Sequence, residues 1–567
     1  MNIRLLDDHT ISHIAAGEVV ARPASVVKEL MENSLDAGAG RIQVTLDGGG
    51  RTLMQVSDDG QGMLPDEVEL ALKRHATSKI ENFGDLERVS TYGFRGEALP
   101  SIAAVSRLEI ASRPPGSEGG FRVAVEGGEA VEQGPVGMPP GTRVTVKDLF
   151  FNTPARRKQL RSQAAELRQI LRTATSLALA RPGVAVEVRS QGTRLQTSGS
   201  GDLRVAYLEL QGAEKGRRMT PFGPTRSGKI EAWGLVGTGD MAAGTRAQQL
   251  VFINGRPVMI PAVARALDDA LRPHTPARKH IPVVVHLSMP PGQVDANVHP
   301  AKSEVRLDDE GEIYRLARRA VEGAVGSVPP AYRRGSLQRG LQEAPSGFPF
   351  QGRPQPADGE DQASLREEQS LPLYMGKGAP EPPELRPVGV IMDTYIVAQG
   401  DGRVVLIDQH AAHERVVYER LVAQRERGSV EAQNLVSPVR VDLSAEEYET
   451  YREHQESLDR MGFSVERFGE RSLLVRSVPR GVGGQVFRDL LNVLVEGGRP
   501  AMDPQERIVL HLAACRGSVM AGQRLSLDEM EGLLSQLLST SDPHTCPHGR
   551  PTMVELKKAE IDRWFGR

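Results

Sequence analysis

Four short segments in the first 150 residues constrain this chain more than anything else in it: Lys28-Glu29-Leu30-Met31-Glu32-Asn33, Asp58-Asp59-Gly60-Gln61-Gly62-Met63, Gly93-Phe94-Arg95-Gly96-Glu97-Ala98-Leu99 and Gly141-Thr142. Glu29 and Asn33 lie four apart in a stretch whose apolar residues recur at helical spacing, so both project from one helix face. Pro23 stands in the first turn of that helix and Gly38 just past its last, which are the ends such a helix takes. A carboxylate and a neutral amide on one face suit phosphoryl chemistry. The carboxylate can orient and deprotonate an attacking water, while the amide oxygen holds a magnesium ion. Leu53 to Ser57 reads as a strand leading into Asp58, whose carboxylate can accept a hydrogen bond from an exocyclic amine such as that of adenine. Gly60 and Gly62 remove side chains where a ligand must lie against backbone. Gly93 and Gly96 bracket a second turn whose amides face phosphate oxygens, helped by a helix starting near Glu97. Each piece alone is more often structural than functional. In this order, within one domain length, they specify an ATP site that is not a P-loop.

With 70 basic against 73 acidic residues, the chain has no global field that would force nucleic-acid binding, so DNA contacts must come from local patches. Arg156-Arg157-Lys158 with Arg161, on or near a predicted helix, is the best of these, its bland reading being a solvated helix face; Arg256 and Arg265 are weaker. No apolar run approaches a membrane span, and the start of the chain lacks a secretory pattern, so a cytoplasmic location is expected. The two cysteines, Cys515 and Cys546, exclude a disulfide framework and fit a reducing compartment.

At 567 residues the chain has room for three or four domains. Residues 1–205 alternate helix and strand patterns, with Ile42 to Leu46 and Leu53 to Ser57 joined through Gly48-Gly49-Gly50 as a hairpin, and read as a helix-over-sheet sandwich. Residues 206–327 place strands at Lys229 to Val236, Gln249 to Ile253 and Ile281 to Leu287 around a helix at Ala262 to Leu271, a smaller α/β domain. Residues 328–386 are rich in Pro, Gly, Gln, Glu and Ser and read as a disordered linker with a reach of roughly 40 Å. Residues 387–567 form a third α/β region, with strands at Val388 to Ile391, Tyr395 to Ala398 and Val404 to Ile407.

The last of these strands runs into Asp408-Gln409-His410-Ala411-Ala412-His413-Glu414. His410 and Glu414 stand four apart on a helix that begins there, with Asp408 at its entrance, so three potential metal ligands converge. Cys546-Pro547-His548 offers a thiolate and an imidazole on one later loop. Such mixed donors favour zinc, while the oxygens also admit manganese or magnesium. The bland alternative is a structural zinc or a pair of buried thiols.

Arg22-Pro23-Ala24-Ser25-Val26-Val27-Lys28-Glu29-Leu30, the Gly93 to Leu99 segment, Phe151-Asn152-Thr153-Pro154-Ala155-Arg156, Phe252-Ile253-Asn254-Gly255-Arg256-Pro257 and Val294 to Lys302 closely resemble the MutL family of DNA mismatch-repair proteins, within the superfamily of gyrase, chaperone and histidine-kinase ATPases. The resemblance covers everything but the central stretch. It implies an N-terminal ATPase sandwich, a transducer domain, a linker, and a C-terminal dimerisation and endonuclease region with an inserted lobe at about 441–508. By the same resemblance Glu29 is the general base, Asn33 the magnesium ligand and Asp58 the adenine reader. Gly93, Phe94, Arg95, Gly96, Glu97, Ala98 and Leu99 form the phosphate lid, Gly60, Gly62 and Thr142 complete the nucleotide site, and Lys302 reaches the terminal phosphate. The Asp408 block matches the signature of family members that nick DNA, and Cys515, Cys546 and His548 match their other motifs, which makes Asp408, His410, Glu414, Cys515, Cys546 and His548 the implied metal set, with His413 a bystander and Glu419 a support. Gln433, Leu435, Val436 and Pro438 resemble the segment that docks on the replication sliding clamp. The implied partners are a second copy of the chain, DNA and a mismatch-recognition protein of the MutS family, at the bacterial nucleoid. Two other readings stay open: a non-enzymatic ATP-driven scaffold with a structural metal, and the ATPase half of a type II topoisomerase, which needs an Asp-x-Asp metal motif that does not occur here.

Overall fold

Helix α1, Pro23–Asp36, forms where Val26, Val27, Leu30 and Met31 present one buried stripe, and it stops before Gly38, whose φ of 73° lies in the left-handed region glycine favours. In the computed structural model, residues 17, 19–79, 91–93, 96–275, 279–295, 306–307, 309–325, 385–400, 402–428, 430–480, 482–496, 508–509, 511–512 and 525–565 are described. The chain divides into two compact units, Met1–Ala331 with Gln424–His511, and Tyr332–Ala423 with Leu512–Arg567.

In the first unit α1 packs on an eight-stranded sheet made of β1 (Arg41–Asp47), β2 (Leu53–Asp58), β3 (Arg107–Arg113), β4 (Gly120–Glu126), β5 (Glu129–Val136), β6 (Gly141–Lys147), β7 (Ala185–Ser190) and β8 (Thr193–Gln196). Their spatial order is β5-β4-β3-β6-β2-β1-β7-β8. The strict alternation of exposed and buried residues along β1 gives this sheet one wet and one covered face. The β1–β2 hairpin turns through the three glycines, as the sequence predicts. Gly49 is forced from outside the turn: a Cβ there would stand 2.4 Å from the carbonyl oxygen of Gln163, at the start of the covering helix α3 (Gln163–Ala180). A shorter helix, α2 (Ala98–Ala104), begins after Glu97.

A second, five-stranded sheet has the order β12-β11-β13-β10-β9, from β9 (Thr220–Ser227), β10 (Ile230–Val236), β11 (Gln249–Ile253), β12 (Arg256–Pro257) and β13 (Val283–Ser288). The expected strand from Ile281 starts two residues late because Pro282 has no N–H for the ladder; its carbonyl instead accepts from the Gly237 amide at 2.9 Å. Helices α5 (Pro261–Leu271) and α6 (Glu310–Val325) share a core with this sheet, and a two-stranded ribbon of β14 (Val294–Asp295) and β15 (Arg306–Leu307) follows it. Between α3 and α5 lies α4 (Leu203–Gln211), N-capped by the Asp202 carboxylate.

His286, on β13, is 4 % exposed and stacks on Trp233 with ring centroids 4.2 Å apart. Burial lowers its pKa from 6.5 to about 4, against a backbone hydrogen bond with Leu179 that works the other way. The unfolded imidazole takes up its proton near pH 6.5 and the folded one resists, so this site's contribution is complete above that value and falls away as pH drops toward 4. The loss amounts to about 3 kcal/mol. The thermal midpoint of His286→Phe is therefore expected to fall less steeply than that of the natural protein between pH 6.5 and 4; equal slopes would refute the assignment.

The first unit also contains a lobe with sheet order β19-β21-β20, from β19 (Ala432–Asp442), β20 (Ser464–Arg467) and β21 (Ser472–Pro479). Its sheet begins nine residues before the 441 expected from sequence, because β19 already pairs with β21 from Ala432. Helix α8 (Ala445–Arg460) packs on it, and α9 (Val486–Glu496) packs on α8. In the second unit β16 (Arg386–Ile391), β17 (Tyr395–Gly400), β18 (Arg403–Asp408) and β22 (Met553–Lys557) form a sheet in the order β16-β17-β18-β22. Helix α7 (Gln409–Glu426) leaves directly from β18, and α10 (Leu527–Leu538) contributes Leu533, Leu534 and Leu537 to the shared core. The linker expected at 328–386 lies outside the described residues except for Leu385 and Arg386. No helix among the described residues is long and apolar enough to cross a membrane.

Candidate nucleotide and metal sites

Glu29 and Asn33 are both half-buried on α1, and among the described residues none hydrogen-bonds the Glu29 carboxylate. The Asn33 Oδ1 accepts from the Lys79 ammonium at 3.0 Å, and the same ammonium meets Asp36 at 2.5 Å. A cation thus already sits on the oxygen that would face magnesium, and Asp36 adds negative charge to that corner. Lys79 was not singled out in the sequence, although Asp36, three residues after Asn33 on the same helix face, signals a cation there. The amides of Tyr92 and Gly93 donate to the two Asp36 oxygens at 2.8 and 3.1 Å, which sets the first glycine of the expected lid beside Asn33. Tyr92 also donates through its hydroxyl to the Gly255 carbonyl at 2.8 Å, and Arg256 donates to the Thr91 carbonyl at 2.6 Å. The five-stranded domain therefore holds the start of the lid. Phe94, Arg95 and Lys302 lie outside the described residues.

Asp58 ends β2 with one oxygen accepting from Ser34 Oγ at 2.7 Å and the other from the amides of Gly60 at 3.0 Å and Thr142 at 3.3 Å. Burial raises the carboxyl above its ordinary range, against the three hydrogen bonds that pull it down. An ionised carboxylate has further lone pairs for an adenine amine beyond these donors. The glycines of this site have a reason other than the one expected from sequence. A Cβ on Gly62 would meet the Arg113 carbonyl oxygen at 2.4 Å, and one on Gly96 the Ala76 carbonyl oxygen at 2.4 Å, so neighbouring backbone excludes the side chains. Glu97 pairs with His75 at 3.7 Å, Ala98 opens α2, and Leu99 packs against the sandwich core.

The second site lies within the other unit. Glu414, Cys546 and His548 bring a carboxylate oxygen, a thiol sulfur and an imidazole nitrogen within 4.8 Å of one another. Glu414 is buried on α7, and its carboxylate meets His410 Nε2 at 3.1 Å, His548 Nδ1 at 3.2 Å and the Arg550 guanidinium at 3.1 Å. Burial alone would raise the Glu414 pKa, yet His548, His410 and Arg550 together hold it below its ordinary value. The loop is shaped by a Cys546 amide bond to the Arg550 carbonyl at 2.8 Å and a Gly549 amide bond to the Cys546 carbonyl at 2.8 Å, which folds thiol, imidazole and guanidinium onto one side. Arg550, four residues after Cys546 in the same segment, joins the group without being one of its expected ligands.

Asp408 does not join these three. Its Oδ1 caps α7 by accepting from the amides of His410 at 2.9 Å and Ala411 at 3.0 Å, and its Oδ2 takes no hydrogen bond among the described residues. His410 reaches the group through Glu414. Glu419 accepts from the Ser541 amide at 3.1 Å and so anchors the chain that leads to the cysteine loop. Cys515 lies outside the described residues.

Three family models match the chain: one described as histidine kinase-, DNA gyrase B- and HSP90-like ATPase over residues 21–140, one as DNA mismatch repair protein, C-terminal domain, over 208–326, and one as MutL C terminal dimerisation domain over 388–525. The DNA mismatch repair protein MutL of Symbiobacterium thermophilum is 38% identical, with 100% of each chain covered. Its counterpart from Desulforudis audaxviator is 42% identical over 100% of this chain and 99% of its own, and that from Acidiphilium cryptum is 40% identical over 100% of both. The chain belongs to the MutL family of DNA mismatch-repair proteins. As a MutL-family protein it has an N-terminal ATPase fold of the gyrase and histidine-kinase type and an α/β C-terminal dimerisation region.

The remaining expected sites of this MutL-family chain fare unequally. Arg157, Lys158 and Arg161 are exposed at and just after the short helix Pro154–Lys158. Arg156 differs: its guanidinium donates to the Val20 carbonyl at 2.5 Å and stacks 4.5 Å over the Phe150 ring. It ties α1's approach to the sandwich, and the sequence concealed this because the tether partners are backbone. Gln433 donates to the Val482 carbonyl at 2.9 Å, whereas Val436 is fully exposed where the β19–β21 register breaks between Asn434 and Val439, with Leu435 half-buried and Pro438 exposed in the same break.

Proposed function

We propose that this chain is an ATP-driven homodimeric clamp of mismatch repair that nicks DNA at a metal centre in its C-terminal region. The observation that carries the nuclease reading is the Glu414, Cys546 and His548 group, whose donor atoms fall within 4.8 Å of one another although His548 lies 134 residues after Glu414. A carboxylate, a thiolate and an imidazole fit zinc, and the oxygens also fit manganese. A bound divalent ion supplies charge neutralisation at the attacked phosphate and a more acidic water. The chain's own residues do the rest: His410, His548 and Arg550 keep Glu414 ionised, and Asp408 orients the first turn of α7 while presenting Oδ2.

In the N-terminal half, Glu29 orients the water that attacks ATP, Asn33 holds magnesium, Asp58 reads adenine, and the Gly93 to Leu99 turn closes on the phosphates, with Lys302 reaching them from the second domain. ATP then dimerises the ATPase domains around duplex DNA bound in part by Arg157, Lys158 and Arg161, and hydrolysis reopens them. The segment from Gln433 to Pro438, exposed at Val436 and Pro438, suits docking on a sliding clamp, and the upstream partner is a mismatch-recognition protein of the MutS family.

A structural metal in a purely scaffolding protein is the competing reading, favoured by the burial of Glu414 and Cys546. Incubation of supercoiled plasmid with the full chain and manganese separates the two. Open circles that form with manganese and stop on chelation are the expected result; plasmid that stays supercoiled assigns the scaffold.

A further inference from the structure

Within the first unit, the acidic helix α8 of the lobe lies against the arginine-bearing face of α3 in the ATPase domain. Glu446 and Glu453 are seven apart and share a helix face, as do Arg168 and Arg172, four apart. Arg168 pairs with Glu453 and Arg172 with Glu446. Deeper in, the buried Lys215 pairs with the buried Glu447, and Thr193 donates to Glu449. Backbone is engaged from the lobe side too: Arg452 donates to the Gln191 carbonyl at 2.8 Å and Arg471 to the Glu209 carbonyl at 2.8 Å. This is a matched surface, with a desolvated centre and a charged rim.

The arginine face does not end at the lobe. Arg161 stands seven residues before Arg168, just ahead of the Ser162 N-cap, close enough that its positive charge acts on Arg168, and the exposed Arg157 and Lys158 precede it in the chain. A basic strip along the chain, Arg157, Lys158, Arg161, Arg168 and Arg172, thus leads from the patch read above as a DNA contact to a stretch covered by carboxylates. Carboxylates at such spacing offer arginine the partners that phosphate oxygens offer, and the guanidinium fork accepts either.

We propose that α8 is a built-in competitor of duplex DNA: docked, its carboxylates occupy Arg168 and Arg172, and undocked, it leaves the strip from Arg157 to Arg172 open to the phosphate backbone. This rests on the DNA-clamp reading above and adds to it a surface, a competitor and a regulatory consequence. Because rim pairs are salt-sensitive, the competition is electrostatic and reversible.

The test is duplex DNA binding by the full chain, followed by fluorescence anisotropy across a salt series. Glu446 and Glu453 sit on the rim, so Glu446→Gln with Glu453→Gln removes the competition without emptying the buried pairs. That variant is expected to bind about tenfold more tightly, with a slope of log affinity against log salt steeper by about two, one step per freed arginine. Adding Arg168→Gln and Arg172→Gln should abolish both gains. Unchanged affinity and slope in the Glu446→Gln, Glu453→Gln protein overturns the proposal. Failure of the underlying DNA reading looks different: Arg157→Gln, Lys158→Gln and Arg161→Gln together would then bind DNA as well as the natural protein does. Thermal unfolding of each variant identifies any loss of fold.

Discussion

Replacing Glu29 with alanine is expected to leave ATP binding intact and to cut its turnover by about a hundredfold or more. The side chain stands on α1 facing no hydrogen-bond partner among the described residues, so nothing structural is orphaned when it goes. Alanine is also the best helix former, and the stripe of Val26, Val27, Leu30 and Met31 that seats α1 on the sheet is untouched. The Asp58 carboxylate, held by Ser34 and Thr142, belongs to other contacts and keeps its geometry. What disappears is the carboxylate proposed to position and deprotonate the attacking water. Equilibrium binding of ATP together with phosphate release measures both halves of the expectation, and release within twofold of the natural protein would remove Glu29 from the chemistry.

Asp408→Asn is the second large effect, and the structure makes it unusually clean. An asparagine oxygen caps a helix as well as an aspartate oxygen does, so the bonds from the His410 and Ala411 amides survive and α7 keeps its start. Glu414, held by His410, His548 and Arg550, keeps its place as well. Only the negative charge at Oδ2 is lost. If that oxygen helps hold the ion at the attacked phosphate, nicking falls by about a hundredfold or more while the ATPase half, which shares no residue with this site, continues to turn over.

Much of this was readable from residues alone. The i, i+4 relation of Glu29 and Asn33, the Pro23 and Gly38 ends of α1 and the glycine hairpin depend on short-range geometry, and short-range geometry survives in a sequence. The strands at Gln249 to Ile253 and Tyr395 to Ala398 are likewise continuous apolar runs. Contacts between distant segments were hidden. Lys79 reaches Asn33 across 46 residues, Arg156 spends its guanidinium on the Val20 carbonyl, and Arg550 meets Glu414 across 136 residues. The cap at Asp408 was hidden for a related reason: the first turn of a helix has unpaired amides, and those of His410 and Ala411 claim its Oδ1. The docking of α8 on α3 was equally out of reach, since a run of carboxylates in Ala445 to Arg460 looks like any solvated helix face.

Nicking of supercoiled plasmid by Asp408→Asn, in manganese and beside ATP turnover by the same preparation, tests most directly whether two separate chemistries reside in this chain. Loss of open-circle product with ATP turnover at the natural rate is the result expected here. Nicking at the wild-type rate would contradict it and leave the C-terminal group a structural one.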